Sequence, residues 1–228
     1  MTEWWTYRLT SFLLFSPRTY HRLFELYNAA IWPLQLLGIA MGLAILVLLT
    51  TQRRHRDRIV AGLLAMAWLW VAWAFLYDRY SQINWVAPWI AAAFVLQALL
   101  LIALGVMGRI EFAPAGGKRF AVATALVAMA VIGYPLLAPL FGRPWTTAEV
   151  FGIAPDPTAI ATLAALAMVG GAVRGLVVAI PLLVCALGAL TQRAMGEPEA
   201  FVVAGAALVG AALVSRRSAA TSIARRRA

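Results

Sequence analysis

Seven apolar blocks separated by short polar connections dominate this sequence. They run approximately over residues 28–50, 59–77, 85–107, 120–141, 157–173, 175–190 and 200–214. The first four are long enough to cross a hydrocarbon layer of about 30 Å as helices, whereas the last three are shorter and rich in Ala and Gly. Because lipid offers no partner to a free N–H or C=O group, helices are predicted throughout. The alternation that a membrane barrel requires is absent from the sequence.

Composition supports the same class. The chain is 63% hydrophobic and 12% charged, against roughly 45–50% and about 25% in soluble domains. The single cysteine, Cys185, excludes an intrachain disulfide or a CxxC pair. We therefore expect an all-α polytopic transmembrane bundle of about seven spans over residues 28–214. An amphipathic interfacial segment, 1–27, should precede the bundle, and a basic tail, 215–228, should follow it.

The basic residues predict an orientation. One side of the predicted topology receives thirteen of the nineteen Lys and Arg residues and the other receives six. The positive-inside rule then favours N-out and C-in. The net charge of +10 suits anionic lipid head groups, so no nucleic-acid partner is expected. The thirteen are Arg53, Arg54, Arg56, Arg58, Arg109, Lys118, Arg119, Arg174, Arg216, Arg217, Arg225, Arg226 and Arg227.

A separate helix is predicted before the first block. Ser16 followed by Pro17 is a helix-start signal, because the serine oxygen can cap a free N–H and proline suits the first helical position. Four apolar residues then recur at helical spacing on one face. The segment is predicted to lie in the outer head-group region. These residues are Tyr20, Leu23, Phe24 and Tyr27.

Polar residues form a stripe from this helix into the first block. His21, Glu25, Asn28 and Gln35 fall at offsets of 0, 4, 7 and 14 on one continuous helical path. The stripe could line a solute path, and His21 with Glu25 could bind a metal ion or relay a proton. Alternatively, His21 and Glu25 form an ordinary i,i+4 pair on the polar face of an amphipathic helix.

The connection before the fifth block carries a second candidate. Pro155 and Pro157 flank Asp156, so the chain should be extended there, with Asp156 capping the next helix and Pro157 at its first position. The alternative is functional. Asp156 lies on the same predicted membrane face as His21, Glu25 and Asp78, where carboxylates and an imidazole could bind a divalent ion.

Two stretches carry a family resemblance. The runs FSPRTYHRLFELYNAAIWPLQ, residues 15–35, and FGIAPDPTAIATL, residues 151–163, resemble a family of bacterial multi-pass membrane proteins of unknown function. The family pattern usually has a cysteine between the two prolines of the second run, where this chain has Asp156. A thiol role at that position therefore does not carry over. The resemblance implies the membrane architecture and no activity.

No catalytic signature is present, which disfavours an enzyme, and no cofactor is predicted. The polar residues favour small-solute or ion handling, with protons or a metal as the ion. The alternative is an accessory subunit whose Ala- and Gly-rich last helices pack against a membrane-protein partner or a second copy. Gly38 and Gly42 form a GxxxG motif that fits either internal packing or dimerisation. Membrane lipids are expected partners in every case.

Overall fold

The computed structural model describes residues 15–51, 55–112, 116–171 and 173–226, with side chains described as far as Ser215. Within these ranges the chain is helical and forms no strand, apart from one isolated bridge between Phe112 and Val169. The all-helical prediction is confirmed. The predictions for residues 1–14, for Arg53 and Arg54, and for the arginine side chains of the basic tail lie outside the described part.

The first two helices form a bent pair. Helix α1, Pro17–Ala30, and helix α2, Leu34–Thr50, meet at 91° across a short break. The predicted cap is confirmed, because the Ser16 hydroxyl accepts a hydrogen bond from the Thr19 N–H at 3.2 Å. The predicted continuous helix from His21 to Gln35 is wrong. Residues 31–33 form a turn, and Pro33 lacks the N–H that an uninterrupted helix would use there.

The middle of the chain supplies three long helical segments. Helix α3, Arg56–Trp70, continues as a π-helical stretch over Val71–Tyr77, and helix α4 spans Ala87–Val106. Helix α5, Gly117–Ala128, passes through a π-helical stretch, Met129–Gly133, into helix α6, Tyr134–Leu140. The π-helical stretch ends two residues before Pro135, which cannot donate to the preceding turn.

The last three helices are α7, Pro155–Ala167, α8, Val173–Met195, and α9, Glu199–Arg226. Helix α7 is the core of the bundle, since every residue from Asp156 to Ala167 is buried. Its hydroxyls bond within the protein. Thr162 accepts a hydrogen bond from the Trp68 indole at 2.8 Å and donates to the Thr158 carbonyl at 2.8 Å. A polar group at this depth needs such a partner.

An irregular buried segment, residues 148–154, leads into α7. Gly38 of α2 lies so close to the Phe151 carbonyl that a Cβ at position 38 would overlap with it. Gly42 meets Val131 in the same way. The GxxxG motif is therefore used for internal packing. Non-helical backbone at such depth is tolerated because protein surrounds it.

Four helical segments are long and apolar enough to cross a membrane: Arg56–Gln82, Ala87–Val106, Gly117–Leu140 and Val173–Met195. The bent pair α1 and α2 raises the number to five if it counts as one span. Every predicted apolar block contains a helix. Helix α7 has only 13 residues, and the described apolar part of α9, Glu199–Ser215, is also short.

Candidate functional site

A buried carboxylate lies where three helices meet. Asp156, in the first turn of α7, is 3% exposed. Its Oδ2 accepts hydrogen bonds from Gln192 Nε2 of α8 at 2.7 Å and from the Tyr134 hydroxyl of α6 at 3.2 Å. The Gln192 amide also donates to the Tyr134 oxygen at 3.1 Å. The carboxylate is thus held by two neutral groups rather than by a cation.

A glycine makes room for this arrangement. Gly188 lies one helical turn before Gln192 in α8, and a Cβ built at position 188 would overlap with Asp156 Oδ1 and lie 2.8 Å from its Cγ. Helix α8 can therefore approach the carboxylate only with glycine at this position. The predicted capping role of Asp156 is wrong. Helix α7 begins at Pro155 after Ala154, with no side-chain cap, and Asp156 bonds to other helices instead.

A second buried carboxylate, Glu149, lies in the segment that leads into α7. Glu149 is 5% exposed, and its Oε2 has no hydrogen-bond partner in the described part of the chain. Burial raises the pKa of Glu149 well above its usual value, and the negative charge of Asp156 raises it further, while Arg143 lowers it. Since two neighbouring carboxylates resist simultaneous ionisation, a proton should be bound here.

Arg143, Glu197 and Glu199 act electrostatically on Glu149. Arg143 forms an ion pair with Glu199, which is 1% exposed, and His21 Nε2 lies 3.3 Å from Glu197 Oε1. Burial lowers the pKa of His21, and so does Arg143, against the opposing effect of Glu197. His21 is therefore favoured as the neutral imidazole near neutral pH. We call Asp156, Glu149 and these ionic groups the carboxylate end of the bundle.

A cavity of about 50 Å³ borders Asp156. That volume has room for a few water molecules, at roughly 10–15 Å³ each. Its wall combines the carboxylate with aromatic rings from α1 and from the end of the α3 segment. The lining includes Tyr20, Phe75, Tyr80, Asp156 and Gln192.

The predicted polar residues divide into separate groups. Glu25 pairs with Arg22 at 2.7 Å, not with His21, and Asp78 is exposed and pairs with Arg79 at 2.9 Å. His21 has Glu197 as its partner. Among the described residues, no group of three or more His, Cys, Asp and Glu side chains is placed to hold a metal ion.

Asn28 and Gln35 do meet, although the helix is broken between them. Gln35 Nε2 donates to the Asn28 carbonyl at 2.8 Å, while Asn28 Nδ2 donates to the carbonyls of Thr146 and Ala148 at 2.8 and 3.0 Å. These bonds fix the start of the irregular segment to the α1–α2 bend. Asp156 has no contact with Asn28 or Gln35 among its hydrogen bonds, which are to Tyr134 and Gln192.

A comparison with protein families decides the classification. The model of a family of unknown function, DUF6064, matches residues 18–225, nearly the whole chain. The chain belongs to DUF6064. No curated protein matches this DUF6064 chain, and no solved structure matches it. The predicted membership of a family of unknown function is confirmed, and the family assignment carries no activity.

Sequence reasoning missed much of the site in this DUF6064 chain. Tyr134 and Gln192 are 22 and 36 residues from Asp156, and each lies near the end of an apolar block, where a polar group usually faces water. Glu149 lies in a connection with aromatic and polar neighbours. The one feature of the sequence that could have indicated its burial is its position just before the buried FGIAPDPT run.

Proposed function

We propose that this chain is a multi-pass membrane protein that binds and releases protons at its carboxylate end, as part of ion or small-solute handling. In this proposal the chain crosses the bacterial inner membrane seven times, with its N-terminus outside and its C-terminus inside. Helix α7 is then a short crossing enclosed by the other helices, and α2 crosses alone after the bend.

Surface apolarity supports the membrane placement. Large hydrophobic side chains are exposed along the long helices, and lipid would cover them. Trp73, Trp85 and Trp89 are between 67% and 73% exposed, which fits tryptophan at a membrane interface. Other examples on α2, α4 and α8 are Leu37, Val47, Leu96, Leu99, Leu183 and Leu190.

The orientation rests on charge. The side of the bundle that bears Arg56, Arg58, Arg109 and Arg119 is the basic side predicted from the sequence. In the structure Arg119 reaches the last residue of α7, donating to the Ala167 carbonyl at 2.7 Å. Asp156 lies in the first turn of the same helix. The basic side therefore lies opposite the carboxylate end, which supports an outward-facing site.

The observation that carries the proton assignment is the pair of buried carboxylates, Glu149 and Asp156. Asp156 receives hydrogen bonds only from an amide and a phenol among its described partners, and Glu149 Oε2 has none. Burying an ionised carboxylate costs several kcal/mol unless it is paired. Protonation removes that cost, so a proton is the ligand that this pair favours most directly. Buried carboxylates of membrane proteins are typical of proton relays.

Proton flux into vesicles tests this function. The purified protein would be reconstituted with a pH-sensitive dye inside the vesicles, and an imposed gradient would be followed in wild type, Asp156→Asn and Asp78→Asn. We expect flux in wild type, its loss in Asp156→Asn, and no change in Asp78→Asn, because Asp78 is exposed and paired with Arg79. Equal flux in all three proteins and in empty vesicles would overturn the proposal. A stoichiometric protein partner together with that result would favour an accessory subunit.

A further inference from the structure

The cavity beside Asp156 contains an acceptor that the protein leaves unused. Tyr134 and Gln192 both donate to Asp156 Oδ2, and Oδ1 has no hydrogen-bond partner in the described part of the chain. Oδ1 is also not one of the fully enclosed polar atoms without a partner, so it retains accessible surface. Asp156 borders the cavity of about 50 Å³, which we call the Asp156 cavity. A ligand in this cavity can therefore reach Oδ1.

Two hydroxyl groups in the walls of the Asp156 cavity are also unpaired. Tyr20 of α1 is 6% exposed, Thr191 of α8 is half-buried, and both residues border the cavity. Neither hydroxyl has a hydrogen-bond partner among the residues that the structure describes, and neither is fully enclosed. A hydroxyl oxygen can accept hydrogen bonds from a ligand. Together with Asp156 Oδ1, the walls therefore supply three free acceptors around one small space.

These acceptors favour an ammonium group over water or a metal ion. Water would leave the charge of a buried carboxylate without a counter-ion, which is unfavourable. A calcium ion takes about six or more oxygen ligands, and the described residues contain no group of three or more His, Cys, Asp and Glu side chains that could hold a metal. A primary ammonium has three N–H donors, and the rings of Phe75 and Tyr80 in the same walls suit an organic cation.

We propose that the Asp156 cavity binds a small primary alkylammonium ion. Its N–H groups donate to Asp156 Oδ1 and to the hydroxyls of Tyr20 and Thr191. Its alkyl group lies against Phe75 and Ile90, which complete the wall. The ion and a proton neutralise the same carboxylate, so each excludes the other. This inference rests on the proposed function, because it names the class of solute that is handled at the same carboxylate.

The exclusion depends on the titratable groups that surround Asp156. They come from α1, from the end of the α3 segment, from α6, from α8 and from the connection before α7, and Arg143 acts on two of them. Phenols and a thiol are largely uncharged near neutral pH, so the second carboxyl group near Asp156 is Glu149. The groups are Tyr20, Tyr80, Tyr134, Cys185 and Glu149, with Arg143 acting on Tyr20 and Glu149.

Saturation-transfer NMR of the full chain in detergent tests the inference. Methylammonium and tetramethylammonium would be titrated at about pH 8, where an alkylammonium keeps its charge. We expect saturable binding of methylammonium by wild type. Tetramethylammonium has the same charge but no N–H, so it should bind at least about tenfold more weakly. Equal binding of the two ions, or no binding of methylammonium, would overturn the inference.

Variants locate the binding in the Asp156 cavity. Asp156→Asn should abolish methylammonium binding, and Tyr20→Phe should weaken it about fivefold, as for the loss of one hydrogen bond. Asp78→Asn and Tyr77→Phe are the matched controls, because both residues are exposed and neither borders the cavity. They should bind methylammonium as wild type does. Binding that survives Asp156→Asn would overturn the inference, and if that variant fails to fold, unchanged binding by Tyr20→Phe would do so.

Failure of this inference can be told apart from failure of the proposed function. Saturable methylammonium binding without proton flux into vesicles would support the cation site and refute proton exchange. Proton flux without methylammonium binding would refute the cation site alone.

Discussion

The buried charged groups at the two ends of α7 have different kinds of hydrogen-bond partner. At the end near Ala167, which we call the arginine end, arginines donate to backbone carbonyls. Arg56 donates to the Thr51 carbonyl at the C-terminus of α2 at 3.0 Å and to the Phe112 carbonyl in the connection after α4 at 2.7 Å, and Arg119 donates to Ala167, the last residue of α7. Arg56 also pairs with Asp57 at 2.8 Å. Helix C-termini are favourable for cations because carbonyls and the helix dipole are both negative there.

At the carboxylate end, Asp156 and Glu149 are buried with neutral or absent hydrogen-bond partners among the described residues. The start of α7 favours a negative charge near Asp156, but that effect does not supply a partner for Glu149. The arginine end therefore contributes mainly to stability, whereas the carboxylate end contains groups whose charge can change. Substitutions at the two ends should therefore have different consequences.

The largest expected loss of stability is at the arginine end. Arg56→Met removes donors from one buried and one half-buried carbonyl and from the Asp57 carboxylate, and should lower the free energy of unfolding by about 3 kcal/mol. Thermal or denaturant unfolding in detergent would measure the change. Arg58, an exposed residue on the same helix, provides the control. If Arg58→Met proved as damaging as Arg56→Met, the contrast between the two ends would lose its basis.

The next largest effect is steric. Gly188→Ala places a methyl group against the Asp156 carboxylate, so α8 or the carboxylate must shift, at a cost of about 2 kcal/mol. Gly62→Ala in α3 meets nothing within 4 Å and should be neutral or slightly stabilising. Unfolding temperatures of the two variants would be compared. A fully stable Gly188→Ala protein would show that α8 does not approach Asp156 closely.

The helices could be predicted from the sequence more completely than the site. Each apolar block contains a helix, as predicted for long apolar runs whose backbone N–H and C=O groups bond within the segment. The sharp bend at residues 31–33 was missed because the polar stripe was projected along an unbroken helix. Pro33 carried the available signal, since the residue before a proline is disfavoured in helical conformation.

The site could not be predicted because its members come from separate helices. Asp156, Tyr134 and Gln192 meet through the packing of α6, α7 and α8, and periodicity within one helix contains no information on that meeting. Asp156 was selected for its flanking prolines and interpreted either as a cap of the next helix, which is a local role, or as a ligand of a divalent ion together with His21, Glu25 and Asp78. Its actual partners are distant in sequence. The buried position of Glu149 likewise depends on the irregular segment, whose start is bonded to Asn28 of α1. Asn28 is in turn bonded to Gln35 of α2.

A pH dependence should separate the two ends further. The pKa of Glu149 is raised by burial and by Asp156, so its contribution to stability is complete below its usual value of 4.5 and is lost as pH rises through the folded-state pKa. Glu149→Gln cannot ionise. At mildly alkaline pH the variant should be more stable than wild type, and the difference should vanish in acid.

Unfolding curves of both proteins at several pH values would show whether their stabilities converge in acid and separate at alkaline pH. Glu197, Glu199, Asp156 and Arg143 also act on Glu149 and remain in both proteins, so their direct contributions to stability largely cancel. A stability difference independent of pH would contradict the assignment of a bound proton near Glu149.

The smallest expected effect comes from removing the Tyr134 hydroxyl, which donates a hydrogen bond to Asp156. Tyr134→Phe removes a 3.2 Å hydrogen bond but leaves the Gln192 amide on the same oxygen. Stability should fall by about 1 kcal/mol, and the carboxyl group should hold its proton more strongly, because one donor to the ionised form is lost. Unfolding and proton-flux rates would be measured together. Unchanged values for both would imply that Tyr134 does not act on Asp156.

The central claim is that the carboxylate end holds an exchangeable proton. Infrared difference spectroscopy of the reconstituted protein, titrated from about pH 4 to about pH 9, reports the protonated carboxyl group directly. We expect a carboxylic acid band that persists at neutral pH in wild type and in Asp78→Asn. In both Asp156→Asn and Glu149→Gln the band should be diminished or moved to a different pH. A wild-type protein whose carboxyl groups are all ionised at neutral pH would contradict the presence of a bound proton at the carboxylate end.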